Sequence, residues 1–301
     1  MISMIDNRLQ LDTLELTLDR NHQAMRIRFR HPGRPVITTR LLQDLHQSQE
    51  LISSLCNQDQ NRPKNEQLRY LVMSSGLPDV FCLGGDLELF LKLIRSGDRE
   101  RLSDYAHTCT DILYRNLSGD PRKLCTISVV AGEALGGGFE AALAAEVIIA
   151  EKRARFGFPE IQFGLFPGMG AFSFLARRIS PSLAKRMITS GNIYTAEELH
   201  ELGVVDLLAE DGRGEEMLHH YIKRRQMRDG GYTAMDRIMD QHNPITHKEL
   251  ANIVDLWVDT ALRLEEKNLT MMNYLLKAQS KRWGRGEEPA ATPATISRMR
   301  A

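Results

Sequence analysis

Apolar and polar residues alternate over LELTLD at 14–19 and again over MRIRF at 25–29. A period of two is the mark of a half-buried strand, and the polar Arg20-Asn21-His22 between the runs suits a hairpin. The pattern turns helical from about Thr38 to Cys56, then polar over 57–67, where Pro63 predicts a loop. YLVMSS at 70–75 reads as the next strand. Helices are expected over 86–95 and 98–117; in the second, Leu102, Ala106, Cys109, Leu113 and Leu117 recur at three- and four-residue steps. TISVV at 126–130, VIIA at 147–150 and ARFGF at 154–158 are short strands, with a compact helix between the first two. Strand, helix and strand in alternation predict an α/β architecture.

Thr195 with Glu198 fits a capping box, Gly203 a helix stop, and VVDLLA at 204–209 another strand. Beyond residue 210 the pattern is almost wholly helical. Thr246 with Glu249 reads as a second capping box, opening an amphipathic helix in which Leu250, Ile253, Val254, Trp257 and Ala261 share a face. The tail from Gly284 is poor in large apolar residues and reads as disordered.

Composition narrows the function. The chain has 301 residues with 42% apolar and 26% charged content, and 39 basic residues balance 39 acidic ones. No global field attracts nucleic acid or anionic lipid. Cys56, Cys82, Cys109 and Cys125 form no C-x-x-C pair, so free thiols in a reducing compartment are expected. MISMIDNRLQ turns polar too early for a signal peptide, and AALAAEVIIA at 141–150 is far too short to span a bilayer. A cytoplasmic location without a membrane segment is expected. The nine histidines show no spacing of a ligand set, with His219-His220 adjacent and His242 and His247 without partners. They read as surface or capping groups, and neither metal nor cofactor is expected.

Thirteen of the 22 glycines lie between Gly76 and Gly170. DVFCLGGDL follows one strand and ALGGGFEAALAAE another, and each precedes a helix. Such junctions project backbone N–H groups that lack intrahelical partners. Each group alone more often marks a simple turn. A dinucleotide fingerprint fails, because the spacing from Gly136 lands on Ala141, and no G-K-[ST] is present. Glu140 and Glu160, 20 residues apart, sit among apolar neighbours beside these turns. A lone carboxylate there is more often a structural acceptor; two of them favour tuned acid/base chemistry.

The set FCLGGDL, ALGGGFE, PE and PGMG, in this order, resembles the crotonase superfamily of enoyl-CoA hydratases and isomerases. That resemblance implies a spiral of ββα units over residues 1–209 and a C-terminal helical region over 210–283 for oligomerisation and active-site cover. It implies that the N–H groups of Gly85 and Gly137 form an oxyanion hole for a thioester carbonyl, with Glu140 and Glu160 catalytic. Leu135, Gly136, Phe166, Gly168, Met169, Trp257, Leu275 and Leu276 are the expected substrate-binding positions. A homotrimer or dimer of trimers is implied, with the 250–261 helix offering a face for packing.

FCLGGDLELFLKLIRSGDRERLSDYA, PEIQFGLFPGMGAFSF, RISPSLAKRMI and WVDTALRLEEKNL are closer to one branch, the diffusible signal factor (DSF) synthases. The branch implies dehydration of a 3-hydroxyacyl thioester on acyl carrier protein (ACP) and hydrolysis of the cis-2-enoyl thioester to free acid. It also implies a receiver domain of a sensor histidine kinase as a possible partner. Segments that hold the nucleotide of coenzyme A in typical members depart here, at VITTRLL, 57–67 and Arg122-Lys123-Leu124-Cys125. An acidic carrier would meet Lys92, Arg95, Arg99 and Arg101. Two alternatives stand beside this reading, a CoA-linked enoyl hydratase and a purely regulatory binding protein.

Overall fold

The computed structural model describes residues 8–118 and 124–283. The expected tail lies outside them, as do Arg122 and Lys123. The chain opens with β1 (Arg8–Gln10), β2 (Leu14–Asp19) and β3 (Ala24–Phe29), then α1 (Thr39–Gln58), whose N-cap Thr38 accepts the N–H of Leu41. The middle runs β4 (Tyr70–Ser75), β5 (Val80–Cys82), α2 (Leu87–Ser96), α3 (Arg99–Ser118), β6 (Cys125–Val130), β7 (Glu133–Leu135) and α4 (Gly137–Leu143). Next come β8 (Val147–Glu151), β9 (Arg155–Gly157), a 3-10 turn (Pro159–Phe163), α5 (Ala171–Leu175) and α6 (Pro181–Ser190). The chain ends with β10 (Ile193–Thr195), α7 (Ala196–Glu201), β11 (Leu207–Ala209), α8 (Gly214–Met227), α9 (Asp229–His242), α10 (His247–Ala261) and α11 (Glu266–Trp283).

Two sheets result. The larger has the order β1-β2-β3-β4-β6-β8-β11, antiparallel through β3 and parallel beyond; the smaller has the order β10-β9-β7-β5. The pairs β4–β5, β6–β7 and β8–β9 each give one strand to the large sheet and one to the small. This is the expected α/β spiral of ββα units. Sequence periodicity missed β5 and β7, because three residues are too few to show alternation.

The central strands of the large sheet bury both faces. In β4, Leu71 packs into the main core while Tyr70 and Val72 join Ile127 and Ile149 under Leu218, Tyr221 and Ile222 of α8. The first helix beyond residue 210 therefore covers the sheet itself. All four cysteines are buried thiols. Among the described residues no helix is long and apolar enough to cross a membrane.

Three local expectations need correction. The 204–209 strand shortens to β11, because the N–H groups of Val204 and Val205 are taken by Leu199 O at the end of α7. The capping box at 195–198 forms in full, but the one at Thr246 forms by half: Glu249 N–H reaches Thr246 at 3.1 Å while the Glu249 carboxylate grips Arg177 at 3.0 and 2.9 Å. The apolar face of α10 is not free for another subunit, since Leu250, Val254, Trp257 and Ala261 are buried within the chain, where α10 packs on α3. Three cations of the basic patch make exposed ion pairs, Arg95 with Glu266 (2.9 Å), Arg99 with Asp259 (2.5 Å) and Arg101 with Asp98 (3.7 Å).

Candidate active site

The two glycine turns touch. After β5 the chain passes through Gly84 (φ +95°) and Gly85 into α2, whose N-cap Asp86 accepts the N–H of Glu88 at 3.1 Å. After β7 it passes through Gly136 (φ +52°) into α4. A Cβ on Gly84 would lie 2.9 Å from Leu135 O and 3.1 Å from Gly137 N, so glycine is needed both for the left-handed backbone and for the approach. Gly137 is the first residue of α4, where an N–H has no intrahelical acceptor. Among the described residues no backbone carbonyl accepts from Gly85 or Gly137 N–H. Two unpaired amides on touching turns are what an oxyanion site requires.

The first turn is held from behind. Ile37 N–H donates to Gly84 O at 2.8 Å, and Tyr105 Oη donates to Ile37 O at 2.5 Å. The Phe90 ring lies where a Cβ on Gly85 would come within 2.6 Å of it, and it meets Tyr105 and Trp257 edge-on at 5.3 and 5.1 Å. Sequence reasoning missed Ile37, Phe90 and Tyr105, because apolar and aromatic residues on regular elements look like ordinary core.

Both glutamates reach this place. Glu140, on α4, is buried, and its Oε1 accepts the N–H groups of Met169 in the PGMG turn (2.7 Å) and of Ala171 at the start of α5 (2.9 Å). Burial pushes its carboxyl up to about 7, and these backbone N–H groups oppose the shift. Glu160 stands on the 3-10 turn across from Gly136, where a Cβ would be 2.4 Å from its Oε1. Its carboxyl end is enclosed although the residue keeps some exposure, and Oε2 is buried without a partner. Burial, followed by repulsion from Glu140, pushes it up to about 8. The two carboxyls thus sense each other and hold protons near neutral pH.

The remaining expected positions divide. Met169 Sδ lies 3.0 Å from where a Gly137 Cβ would be, and the Trp257 indole closes on Gly168, whose Cβ would be 2.5 Å from it. Phe166, Leu275 and Leu276 are partly buried against the main core, and α11 packs on α2 and on the Glu160 turn. Leu135 joins a separate cluster with Val36, Val80, Leu83 and Trp283, although its carbonyl borders the glycine contact.

Comparison with known proteins gives the family and the fold. The sequence pattern of the enoyl-CoA hydratase/isomerase family matches residues 41–268. An enoyl-CoA isomerase/hydratase, fer4 of Mycosarcoma maydis, is 30% identical over 60% of this chain and 62% of its own length, so the chain spans less than two thirds of that relative. The enoyl-CoA hydratase structure from Bacillus halodurans shares the fold at 20% identity, with a TM-score of 0.70 over 87% of this chain and 100% of that one. DspI of Pseudomonas aeruginosa is 25% identical, with a TM-score of 0.55 over 85% of this chain and 98% of that one.

Proposed function

Because the chain belongs to the enoyl-CoA hydratase/isomerase family, we propose that it acts on an acyl thioester, dehydrating a 3-hydroxyacyl-ACP and hydrolysing the cis-2-enoyl product to a free fatty acid, as a DSF synthase does. One observation carries the chemistry: two enclosed carboxyls, Glu140 and Glu160, flank the contact between two glycine turns with unpaired N–H groups.

The thioester oxygen accepts the N–H groups of Gly85 and Gly137, which draws charge onto the carbonyl and acidifies C2. The carboxyl pair holding one proton is the working form. Its ionised member takes the C2 proton, and its protonated member delivers one to the departing 3-hydroxyl as water leaves. The pair is then poised to activate water for attack on the same polarised carbonyl, which releases acid and carrier thiol. Met169 and Trp257 line the start of the acyl path, with Phe166, Leu275 and Leu276 further members.

The branch-like segments in FCLGGDLELFLKLIRSGDRERLSDYA and PEIQFGLFPGMGAFSF support the finer reading. It includes a cytoplasmic location, a trimeric assembly, the 210–283 region as site cover and a sensor-kinase receiver domain as partner. The second reading, a CoA-linked enoyl hydratase, is favoured by the activity in the name of the Mycosarcoma maydis relative. Matched 3-hydroxyacyl and 2-enoyl thioesters of ACP and of coenzyme A, followed by mass spectrometry, separate the two. Free cis-2 acid from the ACP substrate is expected. Reversible hydration of the CoA substrate with no acid selects the second reading, and no turnover of either defeats both.

A further inference from the structure

The β2–β3 turn and the middle of α8, about two hundred residues apart in sequence, meet at the side of the large sheet. Asp19 closes the turn: its Oδ1 accepts the N–H of His22 at 3.2 Å, and its Oδ2 stands 2.8 Å from His22 Nδ1. The His22 ring lies flat on that of His219, with centroids 4.2 Å apart and planes 2° from parallel. His219 Nε2 is buried and has no hydrogen-bond partner. Two further contacts fasten the turn to α8: Arg26 with Glu215, and Gln226 Nε2 donating to Gln23 Oε1 at 3.1 Å.

One ligand atom from each of Asp19, His22 and His219 lies within 4.8 Å of the other two. We propose that these three residues form a binding site for a divalent transition-metal ion of the zinc type. Two imidazoles and one carboxylate suit zinc and its neighbours, whereas magnesium and calcium demand oxygen ligands. Bonds of about 2.1 Å in a tetrahedral site place ligand atoms about 3.4 Å apart. The Asp19–His22 pair, 2.8 Å apart, needs only to open slightly to reach that spacing. His219 must tilt out of the stack so that an in-plane lone pair meets the ion, which then replaces the proton shared by Asp19 and His22. The half-buried setting leaves a fourth position to water.

The surroundings allow this charge. Arg26 Nη1 lies 3.7 Å from Asp19 Oδ2, and Glu215 on the same guanidinium offsets it.

Zinc titration of the chelator-treated full-length chain by calorimetry tests the proposal. One zinc per chain is expected, with His22→Ala and His219→Ala each weakening binding at least ~10-fold and His220→Ala leaving it unchanged. No saturable zinc binding, or binding that survives the double variant His22→Ala/His219→Ala, overturns the site. Should an alanine variant fail to fold, the cobalt spectrum of the native chain decides. Tetrahedral nitrogen/oxygen bands support the site, while a thiolate charge-transfer band or a weak octahedral spectrum overturns it.

Discussion

The Glu160 carboxylate fills the space that a side chain on Gly136 would occupy, with Oε1 2.4 Å from the position of a Cβ there. Gly136 also holds a φ of +52°, which L side chains rarely adopt. Gly136→Ala should therefore push Glu160 aside and strain the entry to α4. A displacement on the order of 1 Å at a reacting group costs ~10²-fold in rate. Turnover measured beside circular dichroism should show that loss with the fold retained.

Glu140→Gln and Glu160→Gln should each lower turnover by ~10²–10⁴-fold, the usual worth of a positioned acid or base. Single-turnover kinetics with the thioester that proves active checks this. Full activity in either variant would remove that glutamate from the mechanism.

Both carboxyls are raised from 4.5, to about 7 for Glu140 and about 8 for Glu160. The native state thus binds more protons than the unfolded chain between those limits. Stability should be fully present below pH ~4.5, fall as pH rises through ~7 to 8, and level off above, with a loss on the order of 3 kcal/mol for Glu140 alone. Denaturant melts at pH 5.5 and 8.5 should show the difference, and each glutamine variant should reduce it. For activity, the singly protonated pair predicts a narrow bell with limbs near 7 and 8.

Tyr105→Phe removes the hydroxyl from Ile37 O but keeps the ring against Phe90. The buried carbonyl left unpaired should cost about 1–3 kcal/mol of stability. Loosening of the Gly84–Gly85 turn should lower kcat more than it raises KM. Equal kcat in the variant and the parent would assign Tyr105 to packing alone.

Trp257 is buried, stacked edge-on with Phe90 and closed over Gly168. Trp257→Ala should cost about 3–5 kcal/mol and also shift chain-length preference toward bulkier acyl groups. A destabilised enzyme with unchanged preference on a series of acyl thioesters would place Trp257 in the core only.

Local order determined much of this protein. Alternation, helical period and caps located β2, β3, β4, β6, β8 and most helices, because each depends on residues near in sequence. The glycine and glutamate motifs marked the candidate site for the same reason: a strand-to-helix turn with free amides is a local object. The tertiary structure alone decided the rest. It showed that Gly84 meets Gly137 and that Glu160 faces Gly136, and it placed Tyr105 and Phe90 behind the turn. It also packed the α10 face inside the chain and brought His22 onto His219. Those relations depend on how the ββα units coil and on which polar groups find partners across long loops. Periodicity carries which face of an element is buried, but not what that face or an isolated titratable side chain will meet.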